Sequence, residues 1–161
     1  RGGHNIDPAE IEEALLRHPA VGFAGAIGQP DAHAGEIPCA FVELVEGATT
    51  TPEELVAFCK ENVHERAAQP KHIKIMDELP KTAVGKIFKP DLRKDAITRI
   101  YNETLEANGL EARVVNVIDD KKRGLVAQIE ANGVSDTAIQ TILGAFIRPW
   151  DHAGAAKIAA E

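Results

Sequence analysis

A chain of 161 residues with 44% hydrophobic and 27% charged residues has the make-up of an ordinary globular protein, long enough to bury a core. Its net charge of −7 excludes general nucleic-acid binding, which draws on surplus lysine and arginine near phosphates. No apolar run reaches the roughly 18–20 residues of a membrane span, and no signal peptide is visible.

In chain order, Asp7-Pro8-Ala9-Glu10 reads as a helix start: Asp7 is the N-cap, Pro8 takes the first turn and Glu10 is a capping-box partner. Ile11, Ala14 and Leu15 form its apolar stripe, which ends near His18-Pro19. Val21 to Ile27, bounded by Gly28-Gln29-Pro30, predicts a strand. Pro38 to Glu46 predicts a second, with Ala40, Val42 and Leu44 on one face and Glu43 on the other. Thr51-Pro52 starts another helix, with Leu55, Phe58, Cys59 and Val63 as its buried stripe. Ile73 to Met76 is a short strand, and Lys89-Pro90-Asp91 opens a helix carrying Leu92, Ala96, Ile97, Ile100 and Leu105. Beyond Asn108-Gly109, two strands (Ala112 to Ile118, Leu125 to Glu130) flank the turn DDKKRG. A helix from Ser135 or Asp136 then carries Ile139, Ile142, Leu143 and Phe146 as far as Pro149. From His152 the alanine-rich end reads as frayed helix or disorder.

The expected fold class is α+β. Residues 1–93 form a small mixed or antiparallel sheet with helices on it, and residues 94–161 add a helix and a β-β-α extension packed on that unit. No internal repeat is visible. The chain begins at Arg1 and enters Gly2-Gly3 at once, which reads as a piece of something longer.

Two chemistries are excluded by spacing. Cys39 and Cys59 lack a C-x-x-C arrangement and fit a reduced, cytosolic protein; His64-Glu65 lacks the second histidine of H-E-x-x-H, since Ala68 stands there, so no metal site is expected. The stretch PKTAVGKIFK, Pro80 to Lys89, is richer. It is not a P-loop: Pro80 stands where the first glycine of G-x-x-x-x-G-K-[ST] belongs, and Ile87 replaces the hydroxyl residue. Yet from Lys71 to Lys94 seven basic residues face three acidic ones, a local +4 that suits a small anion better than a polymer.

Three stretches in this order, RGGHNIDPAEIEEALLRHPAV, GQPDAHAGEIPCAFVELVEG and LPKTAVGKIFKPDLR, resemble the C-terminal domain of the AMP-forming acyl-CoA synthetases of the adenylate-forming superfamily. The resemblance covers Arg1 to about Arg93. It implies a mobile C-terminal domain that closes on a larger N-terminal adenylation domain. Together they would join a carboxylic acid to ATP and then pass the acyl group to coenzyme A, with Mg²⁺ accompanying ATP mainly on the N-terminal domain. It also implies that Lys86 is the adenylation lysine, supported by Thr82 and Gly85, and that Gly2 and Gly3 line the pantetheine path. Lys89 and Arg93 are candidate phosphate contacts or plain surface charges, and Lys81 is expected to be solvated. The alternatives to a CoA ligase, with fatty acids among its possible acids, are an adenylation enzyme that loads a carrier-protein pantetheine arm and a fatty-acyl-AMP ligase.

Overall fold

The computed structural model describes residues 5–153. They divide into two compact units, one of residues up to Gln29 together with Glu36–Arg93, the other of Pro30–Gly35 with residues from Lys94 onward. The architecture is α+β, with one three-stranded sheet in the order β1-β2-β3 and another in the order β4-β5-β6.

The first unit begins with α1 (Pro8–Leu16). Its N-cap Asp7 accepts a hydrogen bond from the Ala9 N–H at 2.9 Å, and Pro8 sits in the first turn, where its missing N–H costs nothing. Then come β1 (Val21–Asp31), β2 (Gly35–Leu44), α2 (Pro52–Asn62), a single 3-10 turn (Arg66–Ala68) and β3 (Ile73–Met76). Thr51 caps α2 by accepting from the Glu54 N–H at 3.2 Å. β2 and β3 run parallel, with Ala40 opposite Ile73 and Glu43 opposite Met76, so α2 is the crossover that parallel pairing demands. Ile11 and Leu15 of α1, Leu55 and Cys59 of α2, and Val42 and Ile73 of the sheet meet in one core, each at 1% exposure or less. Burying such a leucine or isoleucine contributes about 1.5–3 kcal/mol.

The hairpin is longer than its sequence suggested. Gly28-Gln29-Pro30 reads as a strand end, yet β1 continues through it to Asp31, and β2 begins at Gly35 instead of Pro38. The prolines do no harm. β1 is an edge strand, and Pro38 lies on the part of β2 that precedes its pairing with β3, so neither position needs every ladder donor.

In the second unit, the body of α3 (Lys89–Ala107) leads to β4 (Ala112–Asp120), β5 (Gly124–Ala131), α4 (Asp136–Leu143) and β6 (Trp150–His152). β4 and β5 are antiparallel, with a register shift between Val114 and Asn116. The Val114 N–H beside that bulge donates to Asn102 Oδ1 of α3 at 2.7 Å. Ser135 caps α4 by accepting from the Ala138 N–H. Tyr101, fully buried, donates from its hydroxyl to the Arg148 carbonyl at 2.6 Å, and burial raises its pKa well above the usual phenol range.

The expected β-β-α order is present as β4, β5 and α4, and one strand more follows it: β6 pairs parallel to β5, with Ala127 opposite Trp150 and Ile129 opposite His152. The helix stops at Leu143, short of Phe146, and His152, where frayed helix or disorder was expected to begin, belongs to that strand; the rest of the alanine-rich end, residues 154–161, lies outside the described residues. Each unit therefore runs helix, hairpin, helix, parallel strand, an order repeated where the sequence shows no repeat. No helix among the described residues is long and apolar enough to cross a membrane.

Candidate functional site

The loop leaving β3 is a small closed hairpin. An antiparallel bridge pairs Lys81 with Ile87; the Thr82 N–H donates to the Lys86 carbonyl at 2.7 Å, and the Phe88 N–H to the Pro80 carbonyl at 2.8 Å. At the tip, the Gly85 N–H donates to the Thr82 carbonyl at 2.9 Å and the Lys86 N–H to Thr82 Oγ1 at 3.2 Å. Gly85 takes φ +85°, a conformation that side-chain-bearing residues avoid. Thr82 and Gly85 thus build the turn that carries Lys86.

Each flank of the hairpin is tied to the sheet-and-helix body by one carboxylate. On the entry side, Glu43 of β2 accepts from the Leu79 N–H at 2.8 Å and from Lys81 Nζ at 2.7 Å through the same oxygen, Oε1. Lys81 Nζ also donates to the Leu79 carbonyl at 3.2 Å and lies 4.2 Å from the centre of the Phe23 ring, within cation–π range. The Lys81 hydrogen bond, with the Leu79 N–H second, lowers the pKa of Glu43 below its usual value. On the exit side, Glu12 of α1 pairs with Lys89 Nζ at 3.1 Å and accepts from the Ala26 N–H at 3.0 Å. Between the flanks, Ile87 packs against Gly25: a Cβ added there would stand 2.9 Å from Ile87 Cγ2 and 2.9 Å from Leu92 Cδ1.

Lys86 itself is exposed, and its ammonium makes no ion pair among the described residues. Val84 at the tip is 82% exposed. The arrangement is a rigid arm that presents one unneutralised cation beside an apolar tip. It can stabilise negative charge on a group that reaches it from outside the unit.

Sequence reasoning placed Lys86, Thr82 and Gly85 together, and the structure brings them into one turn. Lys81 differs from expectation: it is a half-buried tie, because Glu43 and Phe23 receive it. Lys89 is engaged by Glu12, and Arg93 lies half-buried in α3. Glu43 and Glu12 were missed as parts of the site. Glu43 left one trace, a charged residue at the end of the apolar run Pro38 to Val42. Gly2 and Gly3, with Arg1 and His4, lie outside the described residues. Among the described residues no group of three or more His, Cys, Asp or Glu could hold a metal ion.

Against this geometry, a family profile described as the AMP-binding enzyme C-terminal domain matches residues 10–86, from α1 to the lysine of the hairpin. Residues 10–86 belong to that family. The marinolic acid–CoA ligase of Pseudoalteromonas sp. (strain SANK 73390) is 46% identical over 131 residues, covering 80% of this chain and 20% of that protein. The 2-succinylbenzoate–CoA ligase of Bacillus mycoides (strain KBAB4) is 44% identical over 93 residues, 58% of this chain and 19% of that protein. Among solved structures, an acyl-CoA synthetase of Brucella canis superposes with a TM-score of 0.52 at 43% identity, covering 57% of this chain and 17% of that one. The chain spans about a fifth of the length of the curated relatives it matches. The 131-residue match is longer than the first unit, so the similarity to the marinolic acid–CoA ligase reaches into the second; the 93-residue match is of about the first unit's length.

Proposed function

We propose that this AMP-binding enzyme C-terminal domain is the mobile, closing part of an ATP-dependent, AMP-forming acyl-CoA ligase, and that Lys86 is its adenylation lysine. In the first half-reaction a carboxylate oxygen attacks the α-phosphorus of ATP and pyrophosphate leaves. In the second the coenzyme A thiolate attacks the acyl carbon and AMP leaves. Negative charge grows on the phosphoryl oxygens in the first step, and a positioned ammonium on a long stem suits that task. ATP with its magnesium ion, and the carboxylic acid, would be held by an N-terminal adenylation domain, and Gly2 and Gly3 would lie beside the pantetheine arm.

The observation that carries this reading is the single unpaired ammonium of Lys86 on a hairpin whose two flanking lysines, Lys81 and Lys89, are both neutralised. The relatives support it, since those named above are CoA ligases or synthetases. The experiment is to measure both half-reactions of the full-length enzyme with Lys86→Ala. Acyl-adenylate formation from acid and ATP is expected to fall about 10²–10³-fold, roughly 3–4 kcal/mol for one lost charge at a transition state. Thioester formation from supplied acyl-adenylate and coenzyme A should stay near the wild-type rate. Equal losses in both would make Lys86 a structural residue.

A further inference from the structure

We propose that Glu43 is a positioning residue for the adenylation step: it fixes where the Lys86 hairpin stands, without itself touching the reactants. The inference rests on the reading of Lys86 above and concerns what holds that lysine in place.

Glu43 is well chosen for the task. It sits on β2, the central strand of its sheet, directly opposite Met76, the last residue of β3 and the point where the chain departs toward the hairpin. A side chain on a paired central strand is a fixed reference, more exact than one on a loop. Its Oε1 gathers a backbone donor, Leu79 N–H, and a side-chain donor, Lys81 Nζ, from two positions on the same entry strand. Those bonds set both the path of the backbone and the place of the Lys81 side chain. Lys81 is in turn the bridge partner of Ile87, the residue next to Lys86, so a shift at Lys81 passes across the bridge to the catalytic position.

An ion pair this close to solvent contributes little to stability. Its side chains are 21% and 18% exposed, yet Lys81 is received on three sides, by the carboxylate, the Leu79 carbonyl and the Phe23 ring. That is more fixing than a surface charge needs. The pair also removes the competing cation nearest the hairpin's entry, which leaves Lys86 as the charge presented. A misplacement of about 1 Å at a reacting group can cost on the order of 10²-fold in rate.

The test uses the full-length enzyme and both half-reactions. Glu43→Gln keeps an acceptor for the Leu79 N–H and removes the charge facing Lys81. It is expected to lower acyl-adenylate formation about tenfold to a hundredfold, with thioester formation from supplied acyl-adenylate nearly unchanged. Lys81→Met should reproduce the loss from the loop side without touching the sheet, and Lys81→Arg, which keeps the ion pair, should recover most of it. In a Lys86→Ala background, Glu43→Gln should cost nothing further, because it acts through a lysine that is gone. Losses that multiply in that background, or that fall equally on both half-reactions, overturn the inference. An enzyme crippled by Lys86→Ala but indifferent to Glu43→Gln and Lys81→Met overturns it while sparing the reading of Lys86. Normal adenylation by Lys86→Ala removes both.

Discussion

The two sheets are built on the same order of elements, and the hairpins β1-β2 and β4-β5 even share a turn, although residues Pro30–Gly35 of the first hairpin group with the second unit. Asp31 accepts from the His33 and Ala34 N–H groups at 3.1 and 2.8 Å, and Asp120 from those of Lys122 and Arg123 at 2.9 and 3.0 Å. Each turn closes on a glycine at positive φ, Gly35 at +82° and Gly124 at +76°. They differ in where their polar side chains go. In the second unit these fasten the third strand and its approach: Arg123 forms a two-pronged pair with Asp151 at 2.7 and 2.9 Å, Trp150 Nε1 donates to Gln140 Oε1, and Tyr101 holds the Arg148 carbonyl. In the first unit, Glu43 and Glu12 fasten the hairpin that lies beyond the third strand. One scaffold is thus closed on itself in one copy and used to hold out a lysine in the other.

The largest test of that contrast is in the cores. Leu105 is fully buried in the second unit's cluster, and Leu105→Ala should cost about 2–5 kcal/mol through lost burial and the cavity left behind. Trp150, the sole tryptophan, reports on the second unit, and amide exchange along β1–β3 reports on the first. The expected result is a lowered midpoint by tryptophan fluorescence with exchange in the first sheet unmoved. A shared loss would show that the two cores melt as one.

A smaller effect sharpens the comparison at the hairpin. Gly25→Ala would put a methyl within 2.9 Å of Ile87 and Leu92, and overpacking of this kind typically costs about 1–3 kcal/mol. Both neighbours are side chains that can yield, so part of the cost should appear as displacement of Ile87 and, through it, of Lys86. In the full-length enzyme, adenylation should drop more than thioester formation. A variant as active as the wild type in both would mean the packing at Gly25 does not govern where the hairpin stands.

Local signals were legible in the sequence, and long-range ones were not. Asp7, Thr51 and Ser135 could be read as helix caps because a cap and its helix are neighbours in the chain. The Lys86 turn was legible for the same reason, since Thr82 and Gly85 lie within four residues of it. The partnership of Lys81 with Glu43 spans 38 residues, and no local pattern announces it. The strand β6 was invisible because Trp150-Asp151-His152 is three residues long and follows a proline; β5 makes it a strand by pairing with it. The repeated order of the units escaped notice likewise, because it depends on that strand.

The smallest expected effect concerns acid. Glu43 in the first unit and Asp151 in the second both have a pKa lowered first by a side-chain hydrogen bond from a basic partner, Lys81 and Arg123 respectively. A carboxylate whose pKa is depressed on folding binds its proton more readily in the unfolded chain. Its contribution is therefore complete above the usual carboxylate pKa and is lost as pH falls through the depressed value. The usual values are 4.5 for Glu43 and 3.8 for Asp151, so neither pair should weaken until pH drops below those points. Both pairs are near the surface, so the slopes should be shallow and should shrink with added salt. Glu43→Gln should flatten the acid limb of stability measured by exchange in the first sheet and leave the tryptophan signal alone. Asp151→Asn should do the converse. If either substitution flattened both limbs, or neither, the two sets of fastenings would not be separate, and the distinction between a unit that holds itself shut and a unit that holds out a loop would fail at its polar contacts.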